Sequence, residues 1–188
     1  MIANKSEKPF RNVEVATLGG GCFWCTEAVF KNLRGVLTVE SGYSGGWVVK
    51  PTFERVCTGK TGHAEVVQIK FNPIILSFRD LLEVFFATHD PTTVNRQDAD
   101  VGPQYRSIIF YHTDTQKGTA KTLINELRIT GTWNKPIVTQ VEPFATFFLA
   151  EDYHQNFFKR QSGQTYCLLV IAPKIKKLQQ RYPEKLKN

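Results

Sequence analysis

The sequence predicts an α/β layer fold, on three observations. Strand-like apolar runs interleave with stretches patterned at helical spacing, a chain of 188 residues with 41% hydrophobic content suffices for one domain with a sizeable core, and nothing in it resembles a linker or a repeat. Residues 13–18 read as the first strand; Gly19, Gly20 and Gly21 then let the backbone turn sharply, and 22–33 carries apolar residues at helical spacing. Strands follow at 36–41, 64–71, 107–112 and 137–141, and helices at 78–88, 114–128 and 151–161. Two long gaps remain. Residues 42–62 are rich in glycine and aromatic side chains, and 89–104 hold Asp90, Pro91, Asp98, Asp100 and Pro103; loops of that length are often functional.

The chemistry concentrates at the first turn. Gly20-Gly21-Cys22-Phe23-Trp24-Cys25 sets two cysteines three residues apart at the start of a helix. Free amides and the macrodipole there favour thiolate over thiol, lowering a cysteine pKa from about 8.5 to roughly 3.5–7.5. Residues i and i+3 of a helix share a face, about 5–6 Å apart at Cβ, so Cys25 is placed to trap an oxidised Cys22 as a disulfide. The bland alternative makes Cys25 a small core residue and Cys22 a cap. Zinc needs a second cysteine pair or a histidine pair, whereas Cys57, Cys167, His63, His89, His112 and His154 are scattered singly.

Five of the seven net positive charges fall in the last fifteen residues, where six basic side chains accompany only Glu184. A charge run of this kind is usually a solvated helix face, and no aromatic interleaving or nucleic-acid motif accompanies it. Four cysteines are too few for a disulfide scaffold, residues 1–10 are polar rather than a leader, and no stretch approaches the roughly 20 apolar residues of a membrane span. The expectation is a soluble protein of reducing cytoplasm, one catalytic domain over 1–188 with its core at 13–172 and a basic helix or tail at 173–188.

Glu65 has the parity of Val67, Ile69 and Phe71, so a strand there turns its carboxylate toward the apolar face. Burial raises a carboxyl pKa and makes a general acid; the alternative is an exposed strand-edge glutamate paired with Lys60 or Lys70. Asp100 and Tyr105 bracket a turn just before the apolar strand 107–112, either as catalytic groups at a strand tip or as a capped turn.

Six blocks in order, Gly21-Cys22-Phe23-Trp24-Cys25, Gly42-Tyr43-Ser44-Gly45-Gly46, Thr61-Gly62-His63-Ala64-Glu65, His89-Asp90-Pro91-Thr92, Asp98 through Ser107, and Ala150-Glu151-Asp152-Tyr153-His154-Gln155, resemble the A-type peptide methionine sulfoxide reductases. The resemblance spans residues 13–172. It implies a two-layer sandwich with a mixed sheet and a ferredoxin-like core, no resident cofactor or metal, and activity on methionine S-sulfoxide, free or in oxidised proteins, with one enzyme serving one epimer. It implies Cys22 as nucleophile, Glu65 as proton donor, Phe23 and Trp24 as a wall for the substrate methyl, and Asp100 and Tyr105 as groups that hold and polarise the sulfoxide. Phe53 stands where many relatives carry a second tyrosine. Cys25 is the first choice to resolve the Cys22 sulfenic acid, followed by thioredoxin or dithiothreitol as reductant. Cys167, after Tyr166, resembles the recycling position of relatives that lack Cys25, but Leu168-Leu169-Val170-Ile171 reads as ordered structure. Cys57 reads as a structural or adventitious thiol. A general dithiol oxidoreductase and a stoichiometric redox sensor are the rival readings, and a monomer is expected.

Overall fold

The computed structural model describes residues 12–187; the polar opening stretch 1–10 and Asn188 lie outside them. Strand β1 (Glu14–Gly20) leads through Cys22 into helix α1 (Phe23–Lys31), followed by β2 (Val36–Ser44), α2 (Phe53–Cys57), β3 (Ala64–Phe71) and α3 (Phe78–Thr88). A hairpin of β4 (Arg96–Gln97) and β5 (Asp100–Val101) precedes β6 (Ser107–Tyr111), α4 (Asp114–Ile129), β7 (Gln140–Pro143), β8 (Phe147–Leu149), α5 (Phe157–Arg160) and α6 (Ala172–Arg181).

The main sheet runs β7-β6-β1-β3-β2-β8. All neighbours are antiparallel except β6 and β7, which makes the sheet mixed. Its central β6-β1-β3-β2 order, with α1 and α3 as the two crossovers, is the ferredoxin-like arrangement. Alternation along β3 divides the two faces. Glu65, Val67, Ile69 and Phe71 are buried, the last three among the helices' Phe30, Leu82, Phe85 and Leu123, while Ala64 and Val66 join Ile108 and Phe110 in a small cluster on the reverse face. The result is two layers, helices on one side of one sheet.

Strand β1 continues through two of the three glycines expected to turn. A Cβ on Gly19 would lie 2.9 Å from the Glu65 carbonyl oxygen and one on Gly20 would lie 2.8 Å from the Phe85 ring, so these positions serve close packing; Gly21, at φ +92°, makes the turn. Stretch 42–62 is also less of a loop than expected. Strand β2 extends to Ser44, and Thr52 caps α2 by accepting a hydrogen bond from the Arg55 amide.

The helix expected at 151–161 is broken. Asn156 adopts φ +56° and donates its amide to the Glu27 carboxylate (2.8 Å), while the Gln155 side chain bonds both backbone groups of Ser41, leaving a 3-10 turn at Asp152–His154 and the short α5. Strand β7 starts later than the expected 137, because Ile137 is buried and the Val138 amide bonds the Pro91 carbonyl instead of a strand.

Leu168 to Ile171 form a π-helical turn, Cys167–Ile171, that continues into α6. Ile171 and Leu178 are fully buried, Lys174 pairs with Asp98 at 3.2 Å, Lys185 pairs with Asp80, and Leu186 bridges to Leu33. The basic terminus is thus tied to the helical layer rather than presenting only a solvated face. Among the described residues no helix is long and apolar enough to cross a membrane.

Candidate active site

Cys22 is the N-cap residue of α1, 7% exposed, at the point where β1 ends and Gly21 redirects the chain. Glu65, 1% exposed, comes from the neighbouring strand β3, and its Oε2 accepts a hydrogen bond from the Phe23 amide at 3.0 Å. The first free amide of α1 therefore points at the acid and not at the sulfur. Burial pushes the Glu65 carboxyl up to about 8, against the opposing Phe23 hydrogen bond. It holds its proton at neutrality.

This corrects the expectation that the helix start alone lowers the Cys22 pKa. Burial raises the Cys22 thiol, the hydrogen bond it shares with Cys25 adds to that, and any charge on Glu65 opposes a second anion nearby. Cys25 goes the other way: the Cys22 thiol favours its thiolate, with help from the Lys174 ammonium, against its own burial. The Cys25 Sγ lies 3.7 Å from the Tyr166 hydroxyl, which donates to Asp100 Oδ2 at 3.0 Å. Asp100 is half-buried, and burial lifts its carboxyl above the usual range. Burial also raises the half-buried Tyr105 phenol, and the nearby acid Glu65 reinforces it.

A wall of rings flanks the thiols. Phe23 stacks on Phe53 (6.5 Å, 26°) and meets Trp24 at 6.3 Å; Trp24 stacks on Phe157 at 3.7 Å and 6° and meets Tyr166 edge-on at 5.8 Å. The Trp24 indole N–H donates to Nδ1 of the buried His154 at 3.0 Å, whose ring lies 4.4 Å from Phe53. Glu151 ties this wall to β2 and α2, accepting from the Tyr43 hydroxyl at 2.9 Å and the Phe53 amide at 2.8 Å. Cys167 is fully buried in the π-helical turn, and burial raises its thiol, whereas Cys57 is exposed at the end of α2. Among the described residues no cluster of three or more metal-ligating side chains occurs.

The structure thus gathers Cys22, Cys25, Glu65, Asp100, Tyr105, Phe23, Trp24 and Phe53 around the start of α1. Tyr166 and Phe157 were not singled out for the site from sequence, and His154 was seen but not assigned. The one signal for Tyr166 was an aromatic residue immediately before Cys167.

A dithiol at a helix start, a buried protonated carboxyl beside it and a dry aromatic wall define a thiol-dependent oxidoreductase whose substrate needs a proton as well as electrons. The family model described as peptide methionine sulfoxide reductase matches residues 14–186. The chain is 55% identical over 177 residues to the peptide methionine sulfoxide reductase MsrA of Saccharolobus solfataricus, covering 93% of this chain and 98% of that one. Its fold superposes on the crystal structure of reduced Mxr1 from Saccharomyces cerevisiae with a TM-score of 0.77 at 36% identity, over 87% of this chain and 94% of that one. It also matches Mxr1 in complex with Trx2, at a TM-score of 0.55 and 29% identity, over 81% and 91% of the two chains. The chain belongs to the peptide methionine sulfoxide reductase family, in its A type.

Proposed function

We propose that the site reduces methionine S-sulfoxide through Cys22, and that the buried, protonated Glu65 is the observation that carries the reading. Sulfoxide sulfur accepts a nucleophile only if its oxygen can gain a proton. Cys22 gives its thiol proton to solvent and attacks the sulfur, Glu65 protonates the oxygen, and the substrate S–O bond breaks as the hydroxyl passes to Cys22, so that methionine leaves and Cys22 remains as a sulfenic acid. Phe23, Trp24 and Phe53 receive the S-methyl group, while Asp100 and the Tyr105 hydroxyl hold and polarise the sulfoxide.

Cys25 then attacks the Cys22 sulfur, releasing water and closing a disulfide. Its place in the first turn of α1, where its amide donates to the Cys22 carbonyl at 3.1 Å, and its lowered pKa support it over Cys167, which is fully buried in the π-helical turn. A thioredoxin-type dithiol reduces that disulfide, a role supported by the Mxr1–Trx2 complex of a relative. The substrates are free and protein-bound methionine S-sulfoxide, the setting is the cytoplasm, and the chain works as a monomer with a single catalytic domain to which the basic terminal helix belongs.

The test separates the S and R epimers of a blocked methionine sulfoxide and measures the sulfide formed with dithiothreitol, with Cys22→Ser alongside. Turnover of the S epimer alone, abolished by Cys22→Ser, is expected. Equal turnover of both epimers, or activity surviving in Cys22→Ser, overturns the assignment.

A further inference from the structure

The bond between Tyr166 and Asp100 fixes the direction of a longer chain. An ionised carboxylate only accepts hydrogen bonds, so the Tyr166 hydroxyl spends its proton on Asp100 Oδ2 at 3.0 Å. Its oxygen keeps a lone pair for the Cys25 thiol, 3.7 Å away, in a contact where either atom can donate. Cys25, Tyr166 and Asp100 thus form a series along which a thiol proton can pass to a carboxylate whose burial strengthens its hold on a proton. Lys174, 3.2 Å from Asp98, adds a positive charge that favours a Cys25 thiolate.

Local structure holds the tyrosine in place. Tyr166 immediately precedes the π-helical turn Cys167–Ile171, whose ends Cys167 and Ile171 are buried in the core, and its ring packs edge-on against Trp24. A π-turn is rare and is found frequently at functional sites. Here it sets the phenol between a thiol and an acid contributed by the distant β5.

We propose that Tyr166 is the catalytic proton relay of the resolving step, carrying the Cys25 thiol proton to Asp100 as Cys25 attacks the Cys22 sulfenic acid. The S–S bond forms as the Cys22 S–O bond breaks. The Cys25 proton passes through the Tyr166 hydroxyl to Asp100, and the departing hydroxide takes a proton from Glu65, reprotonated from solvent, and leaves as water. Cys22, oxidised in the first step, is the electron acceptor, so no further oxidant is needed. The relay rests on the proposed choice of Cys25 as resolving thiol.

The experiment mixes reduced protein with one equivalent of methionine S-sulfoxide, quenches along a time course, and quantifies methionine, dimedone-trapped sulfenic acid and mapped disulfides in wild type and Tyr166→Phe. The substitution keeps the ring against Trp24. Cys22–Cys25 bond formation is expected to slow about a hundredfold more than methionine release does, the lower range for losing a general base, with sulfenic acid accumulating. Raising the pH from about 6 to about 8, before Glu65 loses its proton, closes the gap between the variant's resolving rate and that of wild type, because hydroxide then takes the Cys25 proton directly; a structural role leaves the gap unchanged. Disulfide formation at the wild-type rate in Tyr166→Phe, or equal slowing of both steps without pH rescue, overturns the relay. A wild-type Cys22–Cys167 bond overturns the choice of Cys25 and the relay with it, whereas absence of methionine from wild type overturns the sulfoxide reading itself.

Discussion

Replacing Glu65 by Gln should make the protein slower and, at neutral pH and above, more stable. A carboxyl raised from an ordinary value of 4.5 to about 8 binds its proton more tightly folded than unfolded. Between those two values the unfolded chain has released the proton and the folded chain has not, so wild-type stability declines as pH rises, by about 1.4 kcal/mol per pH unit. The cumulative loss reaches about 3 kcal/mol at pH 7 and about 5 kcal/mol above pH 8, and it is absent below the unfolded value. Glutamine carries no such burden. It keeps an acceptor for the Phe23 amide, though its own NH₂ group must find a partner in a buried site, a cost of about 1–3 kcal/mol that does not vary with pH.

The slope, not the offset, is therefore diagnostic. Thermal unfolding of both proteins from pH 5 to 9 should show the variant gaining on wild type as pH rises; at about 2–4 °C per kcal/mol for a chain of this size, the relative shift is roughly 6–12 °C by pH 7. In parallel, single-turnover methionine formation should fall about 10²- to 10⁴-fold in the variant, and wild-type turnover should drop about tenfold per unit above pH 8 as Glu65 loses its proton. A pH-independent stability difference would refute the buried, protonated acid. So would wild-type turnover that stays level to pH 9.

Phe53→Tyr restores a hydroxyl beside Phe23 and His154; if that donor reaches the sulfoxide, its roughly 1–3 kcal/mol raises kcat by about 5- to 150-fold, and unchanged turnover shows the missing hydroxyl to be irrelevant. Trp24→Phe keeps an aromatic wall but strands Nδ1 of His154, so KM for the sulfoxide should rise about tenfold while Cys22 stays reactive toward a small alkylating probe; an unaltered KM argues against Trp24 as part of the methyl slot. Leu178→Ala should cost about 2–5 kcal/mol of unfolding free energy in a chemical denaturation, since α6 buries this side chain completely; a loss under 1 kcal/mol would mean that the terminal helix is dispensable to the core.

What the sequence showed of this fold follows from how local the causes are. The bounds of β3 and α3 were legible to the residue, because β3 alternates apolar side chains across two faces and α3 carries an apolar stripe behind a Ser77–Asp80 capping box. Glu65 was half legible for the same reason: parity offered the buried face beside an exposed strand-edge reading, and the fold buries it. The misread segments are those decided by partners far along the chain. Residues 151–161 look helical until Asn156 and Gln155 are claimed by Glu27 and Ser41, more than 100 residues away, and β8 is only three residues long, held as a strand by pairing with β2. Tyr166 escaped notice on the same account, since its hydroxyl acquires meaning only when folding brings Asp100 and Cys25 to it.

The cysteine motif shows why spacing can locate a site and still misjudge its electrostatics. A helix start offers amides to an anion, and in this chain the Phe23 amide goes to Glu65. Cys22 and Glu65 both resist ionisation, so these two groups are uncharged at rest, suited to a neutral sulfoxide with an apolar methyl group. On this reading Glu65 becomes charged only when the sulfoxide oxygen arrives to take its proton. The thiol that the surroundings do favour as an anion is Cys25, the one that on this reading must act second, against a sulfenic acid that exists only after the first step is over. Ordering the two sulfurs in this way separates reduction from resolution, because on this reading the Cys25 thiolate has no target until Cys22 has become a sulfenic acid.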